Sequence, residues 1–264
     1  MIQKNTKKSD AGILKSAQTV LMVLRAFSEM PGEASLTEIA QTVEIPKMKA
    51  HRALQTLAAG GFIFQNPKTK QYRLHYSVLA LARKFQSGQT VHTIAHDVLQ
   101  DLALEVGEDI TVAVMDENQR EVVFVDRLSG GSRISFFCDV GRRLPLHVGA
   151  AAKALLAYLP EEKFERYLEG FTPVEVSPYT ITSADKIRED RLSILKKGYS
   201  YSNQEVDTGV SAVGACVLDA QGQPAASMAI GTLHVKMTAR RISELGKLLN
   251  KTAAEISANL GHGG

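Results

Sequence analysis

Apolar residues in the N-terminal third of the chain recur every three or four positions, which is the period of an amphipathic helix. They predict a first helix over Leu14–Phe27, with Pro31-Gly32 as the stop signal. Ser35, followed three positions later by Glu38, forms a capping-box pattern that starts a short second helix. The positions expected to face inward are Leu14, Ala17, Leu21, Leu24 and Phe27 in the first helix, and Leu36, Ile39, Ala40 and Val43 in the second.

A third helix and a two-stranded ribbon follow. The helix is predicted over Pro46–Ala59, because proline suits a first helical turn. Two short strands, Phe62–Gln65 and Gln71–Leu74, flank the turn Asn66–Lys70, and Val78–Phe85 has the pattern of one more helix. The inward positions of the third helix are Ala50, Ala53, Leu54 and Leu57.

The remainder of the chain mixes helical and strand periods, which predicts an α+β body. Helices are expected at Ala95–Val106, at Gly149–Leu159, from a Thr182/Asp185 cap to Lys197, and after a Thr238 cap with Ile242, Leu245, Leu249, Ile256 and Leu260 inward. Strands are expected at Ile110–Met115, Val122–Arg127, Arg133–Phe137, Ala212–Leu218 and Ala225–Leu233, the last two joined by the turn Asp219–Gly222. Ser87-Gly88-Gln89 has the composition of a domain boundary.

Composition narrows the class of protein. The 264 residues are 44% hydrophobic and 22% charged, which suits a globular chain of two domains. Cys138 and Cys216 are too few for a disulfide framework and suit a reducing compartment. The first ten residues lack the apolar stretch of a signal peptide, and no apolar run is long enough to span a membrane. We therefore expect a cytoplasmic protein without a membrane partner.

The small net charge of +3 conceals an asymmetry between the two parts of the chain. The first 86 residues carry thirteen Lys or Arg against five Asp or Glu, a net charge of +8, and the rest carries −5. A basic module on an acidic body suits nucleic-acid binding, although two differently charged solvated surfaces would give the same numbers.

Three helices followed by a ribbon with a basic tip are the pattern of a winged helix-turn-helix. The solvent face of the third helix would enter the major groove, where Arg and Lys donate to guanine and Gln reads adenine. The ribbon would meet the backbone or the minor groove. A merely solvated basic face is the alternative reading. The predicted DNA-binding residues are Ser35, Thr37, Lys47, Met48, Lys49, His51, Arg52, Gln55, Lys68, Lys70 and Tyr72.

Several stretches resemble the isocitrate lyase regulator (IclR) family. The most telling is Pro46-Lys-Met-Lys-Ala-His-Arg52, within Leu36–Leu54. The resemblance extends through nearly the whole chain, from about Leu14 to Leu260. Further matching pieces are Leu57, Gly61, Tyr72–Leu74, Gly141–His147, Ala150–Leu155, Gly198–Tyr201, Glu205 and Gly209–Ala212 running on to Pro224.

This resemblance implies a transcription factor with a winged helix-turn-helix, a linker helix and a GAF-like α+β effector-binding domain. The corresponding ranges are a flexible arm at 1–12, the DNA-binding domain at 13–76, the linker at 77–90 and the effector-binding domain at 91–264. It also implies double-stranded operator DNA as a partner, a homodimer or dimer of dimers, and control of a catabolic operon, as a repressor by expectation or as an activator.

The resemblance places a small carboxylate at the start of the helix at Gly149. Free backbone N–H groups and the positive helix end would receive the anion there. Close packing of an alanine-rich helix would explain the same residues. The predicted effector-binding residues are Phe136, Gly149, Ala150, Ala151, Ala152, Ser202, Asn203, Val210, Ala212, Ala229 and Gly231, with Arg133 as a weaker candidate.

The predicted effector is an aromatic or otherwise bulky organic acid. Relatives with a very small polar effector have hydroxyl or thiol groups where this chain has Ala212, Ala229 and Gly231, which donate nothing. No catalytic residues, metal site or cofactor are expected, since His92 and His96 lack an intervening glutamate and Ser129–Ser132 lacks the rest of a P-loop. The alternatives are an enzymatic body carrying a basic head, and an architectural DNA-binding protein without an effector.

Overall fold

The computed structural model describes residues 13–30, 32–87, 90–116, 118–131 and 139–263. The chain divides into two compact units after Phe85. The predicted arm at 1–12 and the predicted strand Arg133–Phe137 lie outside the described residues. So do Pro31, Gly88-Gln89 and Cys138.

The first unit is a three-helix core with a β-ribbon. Its elements are α1 (Lys15–Ala26), α2 (Leu36–Thr42), α3 (Lys47–Ala59), β1 (Ile63–Gln65) and β2 (Tyr72–Leu74), followed by α4 (Ser77–Ser87). The capping box is confirmed, because the Ser35 hydroxyl accepts from the Glu38 N–H and the Glu38 carboxylate accepts from the Ser35 N–H at 2.7 Å. The inward face predicted for α3 is also confirmed.

The predicted inward face of α1 is confirmed only in its second half. Phe27 and the partly buried Leu24 pack in the core as predicted, with Val23 and Ala26 beside them, whereas Leu14 is 73% exposed and Ala17 and Leu21 are also exposed. The helix carries apolar residues around most of its circumference, so the 3.6-residue period alone does not select the buried side. Packing against α2 and α3 selects it.

The ribbon is tied back to the start of α2. Ile63 pairs with Leu74 and Gln65 with Tyr72 in an antiparallel register. Ala34 adds an isolated bridge, exchanging two backbone hydrogen bonds of 2.8 and 2.9 Å with Tyr72. The bridge fixes the ribbon relative to the helices, so α3 and the ribbon tip are parts of one rigid unit.

The second unit is built on a six-stranded antiparallel sheet with strand order β5-β4-β3-β8-β7-β6. Its strands are β3 (Ile110–Met115), β4 (Glu121–Leu128), β5 (Arg143–Pro145), β6 (Ser200–Asn203), β7 (Val210–Leu218) and β8 (Pro224–Leu233). Its helices are α5 (Thr90–Val106), α6 (Ala150–Ala157), α7 (Glu161–Glu169), α8 (Ala184–Lys197) and α9 (Ala239–Asn259), with a short 3-10 turn at His234–Lys236 before α9.

Helices cover both faces of this sheet. On one face α5 and α9 bury Leu99, Leu249 and Ile256 against the strands. On the other face α6 and its neighbours bury Leu155 and Phe164 in a second core. The two faces follow from alternation along the strands, and the α+β class predicted for this unit is confirmed.

A β-bulge at Val125 changes which side chains of β4 face α6. Val112 pairs with Asp126 but Ala113 pairs with Phe124, so one residue of β4 is unpaired. Leu128 and Val125 both pack on the α5/α9 side, and Phe124 therefore turns to the α6 side. If the side chains of β4 alternated strictly from Leu128, Phe124 would lie on the α5/α9 side together with Leu128.

Other local predictions had mixed outcomes. Thr238 caps α9 as predicted, by accepting from the Arg241 N–H. The Thr182/Asp185 cap is wrong: Ser183 is the residue before α8, with no side-chain cap bond, and Asp185 pairs with Arg188. The elements that the patterns missed are β5, β6 and α7. Among the described residues, no helix is long and apolar enough to cross a membrane.

Candidate functional site

The exposed face of α3 carries a concentration of positive charge. Its solvent-facing residues include Lys47, Lys49 and Arg52, with Met48 and Gln55 beside them and His51 half-buried. The helix contains no acid, and the sequence has none between Glu44 and Asp97. This face therefore has the charge and the helical shape that the major groove of DNA accepts.

The turn of the ribbon holds two further lysines in the solvent. The Asn66 side chain accepts from the N–H groups of Lys68 and Thr69 at 3.0 and 3.3 Å, and Lys70 adopts a left-handed backbone with φ of +61°. The Gln65 side chain donates to the Lys70 carbonyl. These local bonds give the turn a defined shape, with the Lys68 and Lys70 side chains exposed.

Two of the predicted DNA-binding residues, Tyr72 and Ser35, have structural roles in this fold. Tyr72 is only 5% exposed and packs in the core of the first unit, so its ring cannot reach DNA from the surface of this fold. The Ser35 hydroxyl is engaged in the cap of α2, and Thr37 beside it is half-buried. We exclude Tyr72 from the candidate interface because its side chain is buried, and this burial stabilises the ribbon.

A pocket that is open to solvent at its mouth lies in the second unit between α6, the sheet and the loop after β6. Its walls are mostly apolar. The lining residues are Thr111, Phe124, Leu144, Val148, Gly149, Ala150, Ala151, Ala152, Ser202, Val206, Asp207, Val210, Ala212 and Ala229.

The start of α6 forms the polar end of this pocket. Gly149 has φ of +86°, and a Cβ there would lie 2.8 Å from the Val206 side chain. Its N–H donates to the Glu205 carboxylate at 3.1 Å. The next three N–H groups, of Ala150, Ala151 and Ala152, have no hydrogen-bond acceptor within the part of the chain that the structure describes. Three free donors at a positive helix end are suited to an anion.

The pocket brings together eight of the predicted effector residues. Of the others, Asn203 is exposed at the end of β6 and Gly231 pairs with Ala212 across the sheet, and neither is among the described lining residues. Phe136 and Arg133 lie outside the described residues. The lining residues that sequence reasoning missed are Thr111, Phe124, Leu144, Val148, Val206 and Asp207.

A buried ion cluster supports the polar end of the pocket from behind. The Lys153 ammonium, 5% exposed, lies 2.6 Å from the Glu205 carboxylate and 2.9 Å from that of Asp190, and it donates to the Tyr201 carbonyl. Burial acts to lower the pKa of Lys153, but the charges of Glu205 and Asp190 outweigh it and raise that pKa. A lone lysine in an otherwise apolar alanine-rich helix was the sequence signal for this cluster.

A buried histidine holds the segment before α6. His147 is 1% exposed, with Nδ1 2.8 Å from the Tyr167 hydroxyl and Nε2 3.3 Å from the Val174 carbonyl. Nε2 therefore carries the proton and donates to the carbonyl, while Nδ1 accepts from Tyr167. Burial lowers the pKa of His147, which keeps the ring neutral.

The neutral state of His147 makes the stability of the second unit pH-dependent. Its folded pKa lies below the unfolded value of about 6.5, so its contribution is complete above that pH and is lost as the pH falls toward the folded pKa. We expect the urea midpoint of wild-type protein to drop between about pH 7.5 and pH 5. His147→Gln should show a shallower decline, and an unchanged slope in this variant would contradict the assignment.

Histidine and cysteine side chains of the second unit are the other groups that could carry chemistry. No group of three or more His, Cys, Asp or Glu side chains that could hold a metal occurs among the described residues. His96 lies 3.3 Å from the Asp126 carboxylate, so its ring is in an ion-pair geometry. Burial raises the pKa of Cys216 far above its usual range, which makes that thiol a poor nucleophile.

A winged helix-turn-helix unit and an α+β unit on one chain define a class of DNA-binding transcriptional regulators, and comparisons identify the family. Residues 16–67 match the IclR helix-turn-helix domain, and residues 84–258 match the bacterial transcriptional regulator IclR C-terminal domain. The chain belongs to the IclR family of bacterial transcriptional regulators. The family consists of DNA-binding regulators and not of enzymes.

Similar proteins cover nearly the whole length of the chain. The transcriptional repressor IclR of Escherichia coli K12 is 28% identical over 96% of this chain and 92% of its own. The Thermotoga maritima IclR structure is 27% identical with a TM-score of 0.77, over 94% of this chain and 99% of its own. An IclR homologue from Microbacterium hydrocarbonoxydans in complex with 4-hydroxybenzoate is 21% identical with a TM-score of 0.77, over 93% and 99% of the two chains.

Proposed function

We propose that this regulator binds a palindromic operator through α3 and the ribbon, and that an aromatic or similarly bulky organic acid in the pocket at α6 controls its DNA binding. The observation that carries the proposal is the set of three free N–H groups at the start of α6, which line an apolar pocket in a DNA-binding chain. An architectural DNA-binding protein would not need such a pocket.

The proposed DNA contacts divide into two kinds. Lys47, Lys49, His51, Arg52 and Gln55 on α3 are the proposed readers of base edges and neighbouring phosphates. Met48 is exposed on the same helix and offers an apolar contact, and Thr37 is a proposed phosphate neighbour. Lys68 and Lys70 on the ribbon turn are the proposed backbone contacts.

Lys68→Ala is expected to reduce the salt dependence of DNA binding. A lysine that contacts phosphate releases a counterion, and removing it should reduce the slope of log K against log salt by about 0.9. Sequence preference should be retained, since phosphate contacts carry little base information. Fluorescence anisotropy at four salt concentrations measures the slope. Lys15→Ala, an exposed lysine of α1, is the matched control, and an equal slope in both variants would reject the contact.

The pocket is expected to bind its ligand mainly through apolar burial. Among the described lining residues there is no cation, and a helix end contributes only about 0.3–2 kcal/mol to anion binding. Burying an aromatic ring removes about 150–250 Å² of surface from water, worth about 4–6 kcal/mol at 25 cal/mol per Å². An acid of two or three carbons cannot gain that amount. The same fold holds 4-hydroxybenzoate in the Microbacterium homologue, which is consistent with this size class.

Aromatic acids are therefore expected to bind at least about tenfold more tightly than glyoxylate or pyruvate. Isothermal titration calorimetry of the full chain with benzoate, 4-hydroxybenzoate, 3-phenylpropanoate, glyoxylate and pyruvate tests the order. Ala151→Leu, which fills the pocket at the start of α6, should abolish binding of all the aromatic acids. Tighter binding of glyoxylate or pyruvate than of every aromatic acid would overturn the proposed effector class.

We further propose that the protein is a repressor of a catabolic operon and a homodimer or a dimer of dimers. Relatives that are named as repressors support repression rather than activation, although activators use the same kinds of domain. Ile13, Leu14, Leu21 and Met22 of α1 and its entry are exposed apolar side chains, which suits a subunit interface on the first unit.

The proposed coupling is a shift of population between arrangements of the dimer. An effector that binds one arrangement more tightly changes the spacing of the paired DNA-binding units, and α4 is the proposed linker that carries the change. The proposed domain limits remain 13–76, 77–90 and 91–264. DNA release by an acid that binds in calorimetry is the expected result, and undiminished DNA binding at saturating acid would overturn the repressor proposal.

A further inference from the structure

The buried side of α3 determines which of its side chains project farthest from the first unit. The residues on that side are Ala50, Ala53, Leu54 and Leu57. Since an α-helix turns by about 100° per residue, Met48, Arg52 and Gln55 lie within about 30° of the direction opposite to the buried side. All three side chains are exposed, and together they form the central line of α3.

Lysines flank the central line on both sides. Lys47 and Lys49 are exposed, and each lies roughly 90–110° around the helix from the centre of the line. A helix in the major groove directs the residues opposite its buried side toward the base edges, whereas its flanks pass the two phosphate backbones. This division assigns the two lysines to phosphates and the central line to bases.

The two polar side chains of the central line are available for base edges. Among the described residues, none forms a hydrogen bond or an ion pair with the Arg52 guanidinium or the Gln55 amide. The Thr56 hydroxyl donates to the Arg52 backbone carbonyl at 3.0 Å and leaves the guanidinium unoccupied. No acid occurs between Glu44 and Asp97 to compete for these donors. Arg52 therefore suits a guanine, and Gln55 suits an adenine.

Met48 is the apolar member of the central line. Its side chain is 67% exposed, so the core of the first unit does not cover it. A single exposed apolar residue is common on protein surfaces, but a residue on the central line is covered when the helix enters DNA. The thioether is only a weak hydrogen-bond acceptor and is a poor partner for the polar groups of a base edge. The apolar group that the major groove presents is the C5-methyl of thymine.

We propose that Met48 is a specificity-determining residue, which contacts the methyl group of a thymine in each operator half-site. Met48 precedes Arg52 by about 6 Å along the helix axis, which corresponds to about two base-pair steps. The thymine therefore lies within about three base pairs of the guanine that Arg52 contacts. This inference rests on the proposed function, because it takes α3 as the recognition helix.

Uracil in place of thymine tests the contact, since the two bases differ only by the methyl group. The full-length protein first selects a specific site from a random-sequence library. Each thymine of that site is then replaced in turn by deoxyuridine, and fluorescence anisotropy gives the dissociation constant for each duplex. The protein variants are Met48→Ala, Met48→Leu and, as the matched control on the neighbouring flank, Lys49→Ala.

At one thymine of each half-site, the replacement should weaken wild-type binding about fourfold, the factor expected for burying one methyl group. Met48→Ala should bind the thymine and uracil duplexes equally at that position, whereas Met48→Leu should keep most of the difference. Lys49→Ala should keep the whole difference and reduce the slope of log K against log salt by about 0.9. Thermal melts close to wild type exclude unfolding as the cause of any change.

Three results overturn the inference and leave operator binding intact. The first is a selected site in which no thymine methyl affects the affinity of wild type. The second is a difference that persists unchanged in Met48→Ala, because it then arises from the DNA and not from this contact. The third is loss of the difference in Lys49→Ala as well, which would make it a general effect of weakened binding. Failure of wild type to select any sequence would instead overturn the proposed function.

Discussion

Lys153→Ala is expected to lower the free energy of unfolding by about 3–5 kcal/mol. The substitution removes the cation from a buried cluster and leaves the Glu205 carboxylate, which is 3% exposed, without its charge partner. Breaking a buried ion pair from one side costs this much because the remaining charge stays desolvated. Urea denaturation at pH 7.5 measures the loss.

The charge contribution to this loss has a pH signature. Burial raises the pKa of Glu205 even though the charge of Lys153 opposes the shift, and removing the lysine should raise that pKa further. The variant therefore binds a proton at Glu205 at a higher pH than wild type does, and recovers part of its stability as the pH falls. The difference between wild type and variant should therefore be smaller at about pH 5 than at about pH 8. Lys153→Met, which keeps most of the side-chain volume, should show the same dependence.

A surface lysine provides the control for this prediction. Lys163 is exposed on α7, and Lys163→Ala should change the unfolding free energy by less than about 0.5 kcal/mol. A loss below about 1 kcal/mol in Lys153→Ala would mean that water or a neighbouring group replaces the ammonium. The cluster would then be incidental to the rigidity of the pocket.

Arg52→Ala is expected to weaken specific DNA binding by about 1–3 kcal/mol, or about 5- to 150-fold. Arg52 is exposed in the middle of α3 and has no ion-pair partner among the described residues, so its guanidinium is available to a guanine edge. The structure of the unit should not change, because Ala50, Ala53 and Leu54 supply the buried side of the helix.

The measurement needs a specific DNA site, which the wild-type protein can select from a random-sequence library. Gel shifts on the selected site and on random DNA then give the affinity and the specificity ratio of each variant. Arg52→Ala should lower both, whereas Arg25→Ala, an exposed arginine of α1, should change neither. Undiminished affinity of Arg52→Ala for the selected site would refute α3 as the recognition helix.

The first unit followed from the sequence almost completely. Its elements are set by contacts between residues close in the chain: the Ser35/Glu38 capping box, the buried face of α3 and the turn at Asn66. Such features depend on the helical period and on local hydrogen bonds, which can be recognised from the sequence alone. The first half of α1 was the exception, because apolar residues surround that helix and only its neighbours decide which of them are buried.

The pocket was only partly predictable. Gly149, the alanines of α6 and the walls at Ala212 and Ala229 were expected, and they do line one cavity. Phe124 faces that cavity only because a bulge at Val125 reverses the alternation of β4. Asp207 and Leu144 come from separate loops and edges, and no local pattern relates them to α6.

By itself, the sequence determined a basic three-helix head with a β-ribbon, an α+β body and membership of a family of regulators. The helical period, the helix caps and the local charge depend on residues that are close together in the sequence, so they can be recognised before the fold is known. Tertiary structure alone decided that Glu205, Lys153 and Asp190 share one buried cluster and that Phe124 and Leu144 line the same pocket as the start of α6. Lys153 is tens of residues away from both of its partners in the sequence, and their proximity follows from the strand order of the sheet and the packing of helices upon it.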